Sequence, residues 1–169
     1  MLLAFAGVFL AACSTPPLPG QSEPIVSLMA ARLSLARDVA WAKWSDGLPV
    51  RDPAREQEEL GRLARQGVAA DLDEGLVWRF ARAQIDASSL EQEAWMNRWR
   101  KGEPLPSGDP PALADLRLRL DRMSSFLLAE YAAAWNTPAA AARARLKASV
   151  INPRSAEVAT SAFVSVSLH

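Results

Sequence analysis

Several residue types are scarce in this sequence, and each scarcity excludes a class of function. Among its 169 residues Cys13 is the single cysteine, so no disulfide forms within the chain, and the single histidine, His169, is the last residue. Without a cluster of His and Cys we expect no transition-metal site. Ser-His-Asp and Cys-His catalysis are disfavoured, because the only candidate base is a chain terminus. Lys plus Arg and Asp plus Glu both number 19, so no basic excess indicates a nucleic-acid partner.

The apolar run at the start, residues 1–13, is too short to cross a bilayer as a mature helix and predicts an export signal. It ends in LAAC at residues 10–13, which resembles the bacterial lipobox. In that resemblance residues 1–12 are removed and the thiol of Cys13 carries a diacylglycerol. An ordinary signal peptide with a coincidental cysteine is the alternative. Prolines then indicate an extended tether over residues 13–21.

The rest of the chain, residues 22–169, is expected to form one all-α domain. Alanine and leucine dominate it, and β-branched residues cluster only near its end. Breaks at Gly, Pro, Asn and Asp divide it into about six helices. We expect them over residues 24–46, 52–66, 73–101, 112–135, 139–150 and 154–167, with Gly67 closing the second and either Asp71 or Asp73 capping the third. The sixth is weak, and its Val-Ser alternation equally suits an extended end.

Two cations of the first helix occupy an apolar face. Arg32 and Lys43 are eleven residues apart, close to three helical turns, and share a face with Ile25, Met29 and Val39. Cations that face a core are costly unless an anion meets them. Either they pair with Asp or Glu of another helix, or they line a pocket for an anionic ligand. Spacing alone favours the pairing.

Further polar residues follow helix faces where a core is expected. Gln84, Ser88 and Gln92 lie on the apolar stripe of the third helix, where hydrogen bonds within a bundle would satisfy them. The second helix opens with a group whose ordinary role is capping and surface pairing: Asp52, Arg55, Glu56 and Glu59. Arg122 lies away from the leucine face of the fourth helix, as a surface arginine does.

Together these residues resemble a known constellation. Seven of them, within the strings AARLSLARDVAWAKW, GLPVRDPARE and AQIDASSLEQEAW, closely resemble the all-helical, type II chorismate mutases and, among these, the exported single-domain branch: Arg32, Lys43, Asp52, Arg55, Glu56, Ser88 and Gln92. The match is good over about residues 22–100 and looser through Arg122 to the C-terminus.

The resemblance implies an isomerase that converts chorismate to prephenate by a concerted pericyclic rearrangement. This reaction needs no nucleophile, acid, base, metal or cofactor. The protein holds a dicarboxylate in its reactive conformer and stabilises the charge that grows on the ether oxygen. The resemblance implies that Arg32 pairs with a substrate carboxylate, and that Lys43 and Gln92 donate to the ether oxygen. Arg55 is the fourth residue expected to contribute to catalysis.

The same resemblance assigns the remaining contacts. Asp52 and Glu56 are expected to hold the ring hydroxyl, and Ser88 completes the carboxylate end with Arg55. Arg122 is expected as the second carboxylate arginine. Glu59 departs from the pattern, because relatives can carry a neutral amide there, and we expect it to neutralise Arg55 in part.

Two other functions stay open at this point. The same pocket in a periplasmic lipoprotein could bind a small dicarboxylate without turnover, although such a protein has no need of donors at an ether oxygen. A structural helical lipoprotein would give no reason for the inward polar residues. The only membrane contact expected is the lipid at Cys13. Relatives of this branch are often dimers with each site inside one chain, which leaves a homodimer as an open prediction. Some carry a C-terminal cysteine pair that this chain lacks, so its last helices are expected to be looser.

Overall fold

The computed structural model describes residues 23–134 and 139–163, and the regular structure of these two ranges is entirely helical. The elements are α1 (Glu23–Ser34), α2 (Ala36–Ser45), α3 (Pro53–Ala69), α4 (Glu74–Arg100), α5 (Leu113–Ala134), α6 (Ala139–Leu146), a short 3₁₀ helix (Lys147–Ser149) and α7 (Pro153–Ala159). Because α1 and α2 are separated by one residue, the predicted all-α bundle of about six helices is confirmed.

The predicted first helix is present as α1 and α2 with Leu35 between them. Leu35 keeps a helical backbone (φ −69°, ψ −15°), and its N–H donates to the carbonyl of Arg32 at 3.3 Å. This three-residue step is of the 3₁₀ type and interrupts the α-helical pattern without turning the chain away. Arg32 and Lys43 both remain on the buried side, 4% and 7% exposed.

Aspartates begin α3 and α4. Oδ1 of Asp52 accepts from the backbone N–H of Arg55 at 3.2 Å, and Pro53 follows at the first helical position. Oδ1 of Asp73 accepts from the N–H of Leu76 at 2.8 Å, so Asp73 rather than Asp71 caps the predicted third helix. The first of these caps fixes the direction in which the start of α3 presents its side chains.

The predicted end of the second helix at Gly67 is wrong, because α3 continues to Ala69. Gly67 lies inside the helix and against α4, where a Cβ would stand 2.4 Å from Cγ2 of Val77. The glycine therefore permits a close approach of two helices and does not terminate one.

The core is formed from helices that pack around α4. This helix lies against α2, α3 and α7, while α1 lies against α5. At the centre of the larger apolar cluster, Phe80 stacks on Tyr131 with 4.1 Å between ring centroids, and Phe163 meets both rings edge-on. A second cluster joins Trp41 of α2 to Trp99 of α4. The polar residues discussed below come from α1 to α5, including the N-cap of α3.

Side-chain hydrogen bonds hold the C-terminal helices to α4. Nε2 of Gln84 donates to the carbonyl of Ala159 at 2.8 Å. The buried carboxylate of Glu91 accepts from the N–H groups of Ile151 (3.1 Å) and Asn152 (2.9 Å), just before α7 begins. The contacts of Glu91 are charge-assisted, which strengthens this attachment. The Val-Ser alternation at the end lies outside the described ranges.

Within the two described ranges, no helix combines the length and the apolar composition needed to cross a bilayer. The proposed signal, Cys13 and the tether precede residue 23 and lie outside the part of the chain that the structure describes.

Candidate active site

A single cavity brings together the residues that the sequence singled out. It lies between α1–α2, α3, α4 and α5 and encloses about 90 Å³, room for several water molecules. Seven of the eight predicted substrate-contacting residues line it: Arg32, Lys43, Asp52, Arg55, Glu56, Ser88 and Gln92. Apolar walls are supplied by Val39, Val50, Ile85, Leu113 and Leu120. The structure therefore assembles these seven residues, which lie up to sixty positions apart in the chain, into one polar site.

Two buried cations, Arg32 and Lys43, form the deep part of the cavity, and we call them the deep cations. Arg32 donates from Nε to the hydroxyl of Ser124 at 3.2 Å and from Nη1 to the carbonyl of Gln84 at 2.9 Å. Lys43 donates from Nζ to the carbonyl of Val50. All three acceptors are neutral. Neither deep cation forms an ion pair with any residue in 23–134 or 139–163, so the pairing that spacing alone favoured is not what the structure shows.

Burial dominates the electrostatics of both deep cations. It lowers the pKa of Arg32, and the nearby carboxylates of Glu59 and Asp121 oppose that shift. Burial also lowers the pKa of Lys43, with Arg117 contributing in the same direction and Asp52 opposing it. Both side chains are thus charged groups in a desolvated place, where an incoming anion gains more than it would in water.

Two further cations, Arg55 and Arg117, line the more open part of the cavity, and we call them the rim cations. Their side chains are 25% and 37% exposed. Arg55 forms an ion pair with Asp121 of α5, and Nη2 of Arg117 lies 2.7 Å from Oδ2 of Asp52. Both pairs join α3 to α5 across the cavity. An anionic ligand must therefore compete with a carboxylate for each rim cation, whereas it meets no such competitor at the deep cations.

The amide of Gln92 and the hydroxyl of Ser88 lie side by side on α4. Nε2 of Gln92 is 3.2 Å from Oγ of Ser88, and both residues are about 5% exposed. Oε1 of Gln92 is buried and has no hydrogen-bond partner in the described chain. Rotation of the amide by half a turn exchanges its oxygen and nitrogen, after which the hydroxyl donates to Oε1 and Nε2 is free to donate elsewhere.

Glu56 is held from its outer side by two arginines. Oε1 lies 2.8 Å from Nε of Arg51, and Oε2 accepts from Nη2 of Arg51 at 2.8 Å and from Nη1 of Arg82 at 2.9 Å. Arg51 also contacts Asp86 at 2.8 Å. The carboxylate therefore has a fixed position at the cavity wall while keeping acceptor capacity for one hydroxyl.

The expectation for Arg122 disagrees with the structure, and Arg117 takes its place at the cavity. Arg122 is exposed, as are its helix neighbours Leu118 and Phe126, 55% and 65% respectively. The cavity-facing side of α5 instead follows Leu113, Arg117, Leu120 and Asp121. A step of five residues from 117 to 122 turns the helix by about 140°, away from that side. The leucine pattern of α5 contained this signal, because Arg117 lies one turn after Leu113.

Glu59 is more buried than its predicted role as a surface partner of Arg55 required. It is 6% exposed and lines the cavity, with Oε2 at 3.9 Å from Nη2 of Arg55. Its close partner is Arg62, whose Nη2 approaches the two carboxylate oxygens at 2.9 and 3.0 Å. Burial raises the pKa of Glu59, and a hydrogen bond shared with Asp121 adds to the shift, against the opposing effect of Arg62.

Comparison with known proteins places this cavity in a recognisable fold. Residues 23–93 match the family described as chorismate mutase type II. The secreted chorismate mutase of Mycolicibacterium smegmatis is 28% identical over 139 residues, which are 80% of this chain and 77% of that protein. That of Mycobacterium tuberculosis is 26% identical over 148 residues, 82% and 74% of the two chains.

A solved structure supports the same relationship over more of the chain. The crystal structure of a chorismate mutase from Burkholderia thailandensis superposes with a TM-score of 0.75 at 29% identity, covering 85% of this chain and 98% of that one. The fold of the chain is therefore the all-helical fold of these proteins, including the helices that follow residue 93.

Proposed function

We propose that this chain is a chorismate mutase, an isomerase that converts chorismate to prephenate in one pericyclic step. The observation that carries the proposal is the pair of deep cations. Arg32 and Lys43 are buried on one cavity with neutral oxygens as their only described partners. Burying two cations without carboxylates is unfavourable for folding alone. Chorismate is a dicarboxylate, so bound substrate supplies the anions that the protein omits.

The carboxylates of the substrate bind where cations converge. Arg32 is the deep partner of one carboxylate and is held in place by Ser124 and the carbonyl of Gln84. The rim cations, Arg55 and Arg117, complete binding by exchanging their present carboxylate partners for those of the substrate. Such contacts hold the substrate in the compact conformer from which it reacts, which contributes to the rate by restricting its motion.

Donors at the ether oxygen supply the rest of the catalysis. As the ether C–O bond breaks, a new C–C bond forms in the same step, and negative charge grows on the departing oxygen. Lys43 donates to it as a charged group, and Gln92 donates from Nε2 after the amide rotation described above. An acceleration of ~10⁶ requires about 8 kcal/mol of transition-state stabilisation, which conformer restriction and two preorganised donors in a desolvated cavity can supply.

The ring hydroxyl of the substrate has acceptors at the start of α3. Glu56 is fixed by Arg51 and Arg82 and can accept one further hydrogen bond. Asp52 lies at the helix cap on the same wall. Ser88, adjacent to Gln92, contributes a hydroxyl on the opposite, α4 side.

We further propose that the enzyme is exported and carries a lipid on Cys13 after removal of residues 1–12. The relatives named secreted chorismate mutase support export. Expression of the full chain and a Cys13→Ala variant in a bacterium that processes lipoproteins tests this. Detergent-phase partitioning of the wild type and aqueous partitioning of the variant are expected. Equal partitioning of both would contradict a lipid on Cys13.

The test of the reaction is loss of chorismate followed in the ultraviolet, with Lys43→Ala measured in parallel and Arg122→Ala as the control. Wild type and control are expected to turn over chorismate, and Lys43→Ala is expected to lose activity while circular dichroism remains unchanged. A well-folded wild type that does not turn over chorismate would contradict the proposed enzymatic function. The homodimer stays a prediction that sedimentation of the same sample checks.

The cations of the cavity also suit a second candidate, a protein that binds a small dicarboxylate without converting it. Binding of two carboxylates needs only cations such as Arg32 and Arg55, which both line the cavity, and needs no donors at an ether oxygen. Binding of prephenate without turnover of chorismate would establish that candidate.

A further inference from the structure

Glu59 is a buried carboxylate that the proposed reaction does not use. It lines the cavity and, on its other side, a second cavity of about 10 Å³ that also contacts Arg32, Gln84 and Ser124. Its side chain thus stands directly behind the wall that receives the substrate carboxylates. An ionised carboxylate in that place opposes the binding of a dianion, so its protonation state matters for affinity.

The charges that face Glu59 come from three helices. They are Arg32 of α1, Arg55 and Arg62 of α3, and Asp121 of α5. The residues of α4 near it, Gln84 and Ile85, carry no charge. With Glu59 ionised, three arginines face two carboxylates. With Glu59 protonated, they face one, and the group gains a full positive charge beside the cavity.

The surroundings of Glu59 favour the protonated form of its carboxyl group more than the surroundings of an exposed glutamate do. Burial raises its pKa, and the carboxylate of Asp121 adds to that shift, since two adjacent carboxylates share a proton more readily than they both ionise. Hydrogen bonding from Ser124 and the charge of Arg62 oppose the shift. Asp121 is itself paired with Arg55, which connects Glu59 to a rim cation through a neighbouring carboxylate.

We propose that Glu59 is a positioning residue that sets the affinity of the cavity for the substrate carboxylates through Arg32 and Arg55. This inference rests on the proposed function and deepens it. While Glu59 is protonated, both arginines act on the substrate without competition from Glu59, and Asp121 still competes for Arg55. When it ionises, it attracts them and weakens dianion binding. Since the neutral form is the one retained to higher pH, affinity is greatest at low pH and falls as pH rises above the ordinary glutamate range.

The test measures binding and turnover separately. Prephenate is titrated into the wild type and Glu59→Gln while tryptophan fluorescence is followed, from about pH 4 to about pH 9, and kcat for chorismate is measured over the same range. In the wild type the Kd is expected to rise about fivefold to tenfold across this range, because one charge changes near the ligand. In Glu59→Gln it is expected to stay low throughout, with kcat close to that of the wild type.

Two further variants sharpen the result. Glu58→Gln is the matched control, because Glu58 also contacts Arg55, at 3.4 Å, but its side chain is 71% exposed. It is expected to keep the wild-type pH profile.

Arg62→Gln removes the cation that favours ionised Glu59, so the rise in Kd is expected to move to higher pH. If Glu59→Gln does not fold, this variant tests whether Glu59 controls the pH dependence of Kd.

The outcomes distinguish failure of the proposed role of Glu59 from failure of the proposed function. A wild-type rise in Kd that persists unchanged in Glu59→Gln, or one that Arg62→Gln does not shift, would overturn the role of Glu59. The expected binding profile without chorismate turnover would support Glu59 and overturn the proposed enzyme, because the prephenate titration does not depend on catalysis.

Discussion

The deep and rim cations of the cavity differ in what the protein gives them as partners. Arg32 and Lys43 are almost fully buried and bound to neutral oxygens, whereas Arg55 and Arg117 are partly exposed and bound to aspartates. The deep pair costs folding free energy that only an anion can recover. The rim pair is neutralised before any ligand arrives. From this difference we infer that, in the proposed reaction, the deep cations act on the reacting atoms and the nearest carboxylate, while the rim cations contribute mainly to capture.

The largest effect is expected from removal of a deep cation. Arg32→Leu leaves a cavity of similar shape with no charge to meet the substrate carboxylate that Arg32 is proposed to bind. We therefore expect kcat/KM for chorismate to fall about 10³-fold, the range found for preorganised charged contacts. Arg122→Ala, an exposed arginine on α5, serves as the control and should be unchanged. A loss below about tenfold in Arg32→Leu would place Arg32 outside the substrate contacts.

A smaller effect is expected at Gln92, and it depends on pH. An amide donates a hydrogen bond at any pH, whereas a carboxylate donates only when protonated. In Gln92→Glu, activity is therefore expected to approach that of the wild type at low pH, where the introduced carboxyl is protonated. Activity is expected to fall about 10²-fold as pH rises through neutrality and the carboxyl ionises. The position is 5% exposed, and this burial keeps the carboxyl protonated to higher pH than at the surface. Measurement of kcat across pH checks this. A variant with the wild-type pH profile would show that Gln92 does not donate to the ether oxygen.

Loss of a rim cation is expected to affect binding more than turnover. In Arg117→Ala, KM should rise about tenfold with little change in kcat. Because Arg117 lowers the pKa of Lys43, its removal raises that pKa, so Lys43 stays charged to higher pH. The alkaline fall in kcat/KM should accordingly move to higher pH. An unchanged alkaline limb would show that Lys43 does not titrate in the active range.

The smallest effect is expected from salt. Sodium chloride screens exposed charges but reaches buried ones poorly. Raising it from ~0.01 M to ~1 M should raise KM severalfold through the rim cations and leave kcat nearly constant. Steady-state kinetics at the two concentrations provides the check, with sodium chloride at fixed pH as the only variable. A matching fall in kcat would contradict the division between deep and rim cations.

The sequence was sufficient for the parts of the site that lie on regular helices with clear caps. Arg32 and Lys43 could be placed on one face because α1 and α2 follow each other with one residue between them. Ser88 and Gln92 could be placed together because they are one turn apart on α4. The cap at Asp52 fixed the start of α3 and hence the direction of Arg55.

What sequence reasoning missed depends on packing between helices. Arg117 and Arg122 are both arginines of α5, and only the position of α5 against α3 shows which of them reaches the cavity. The pattern of Gly67 matches a helix end, but its small size serves the contact with Val77. The burial of Glu59 likewise follows from α5 covering α3, through contacts with no local signal in the chain.

The most direct test of the central claim is the thermal midpoint of Lys43→Met without any ligand. We propose that Lys43 serves the substrate and contributes little to the fold, since its one described partner is the carbonyl of Val50. Methionine fills similar space without a charge to desolvate. The midpoint is therefore expected to equal or exceed that of the wild type, within about 3 °C, while chorismate turnover is lost. A midpoint lower by more than about 5 °C would show that Lys43 is a structural cation and would contradict the account.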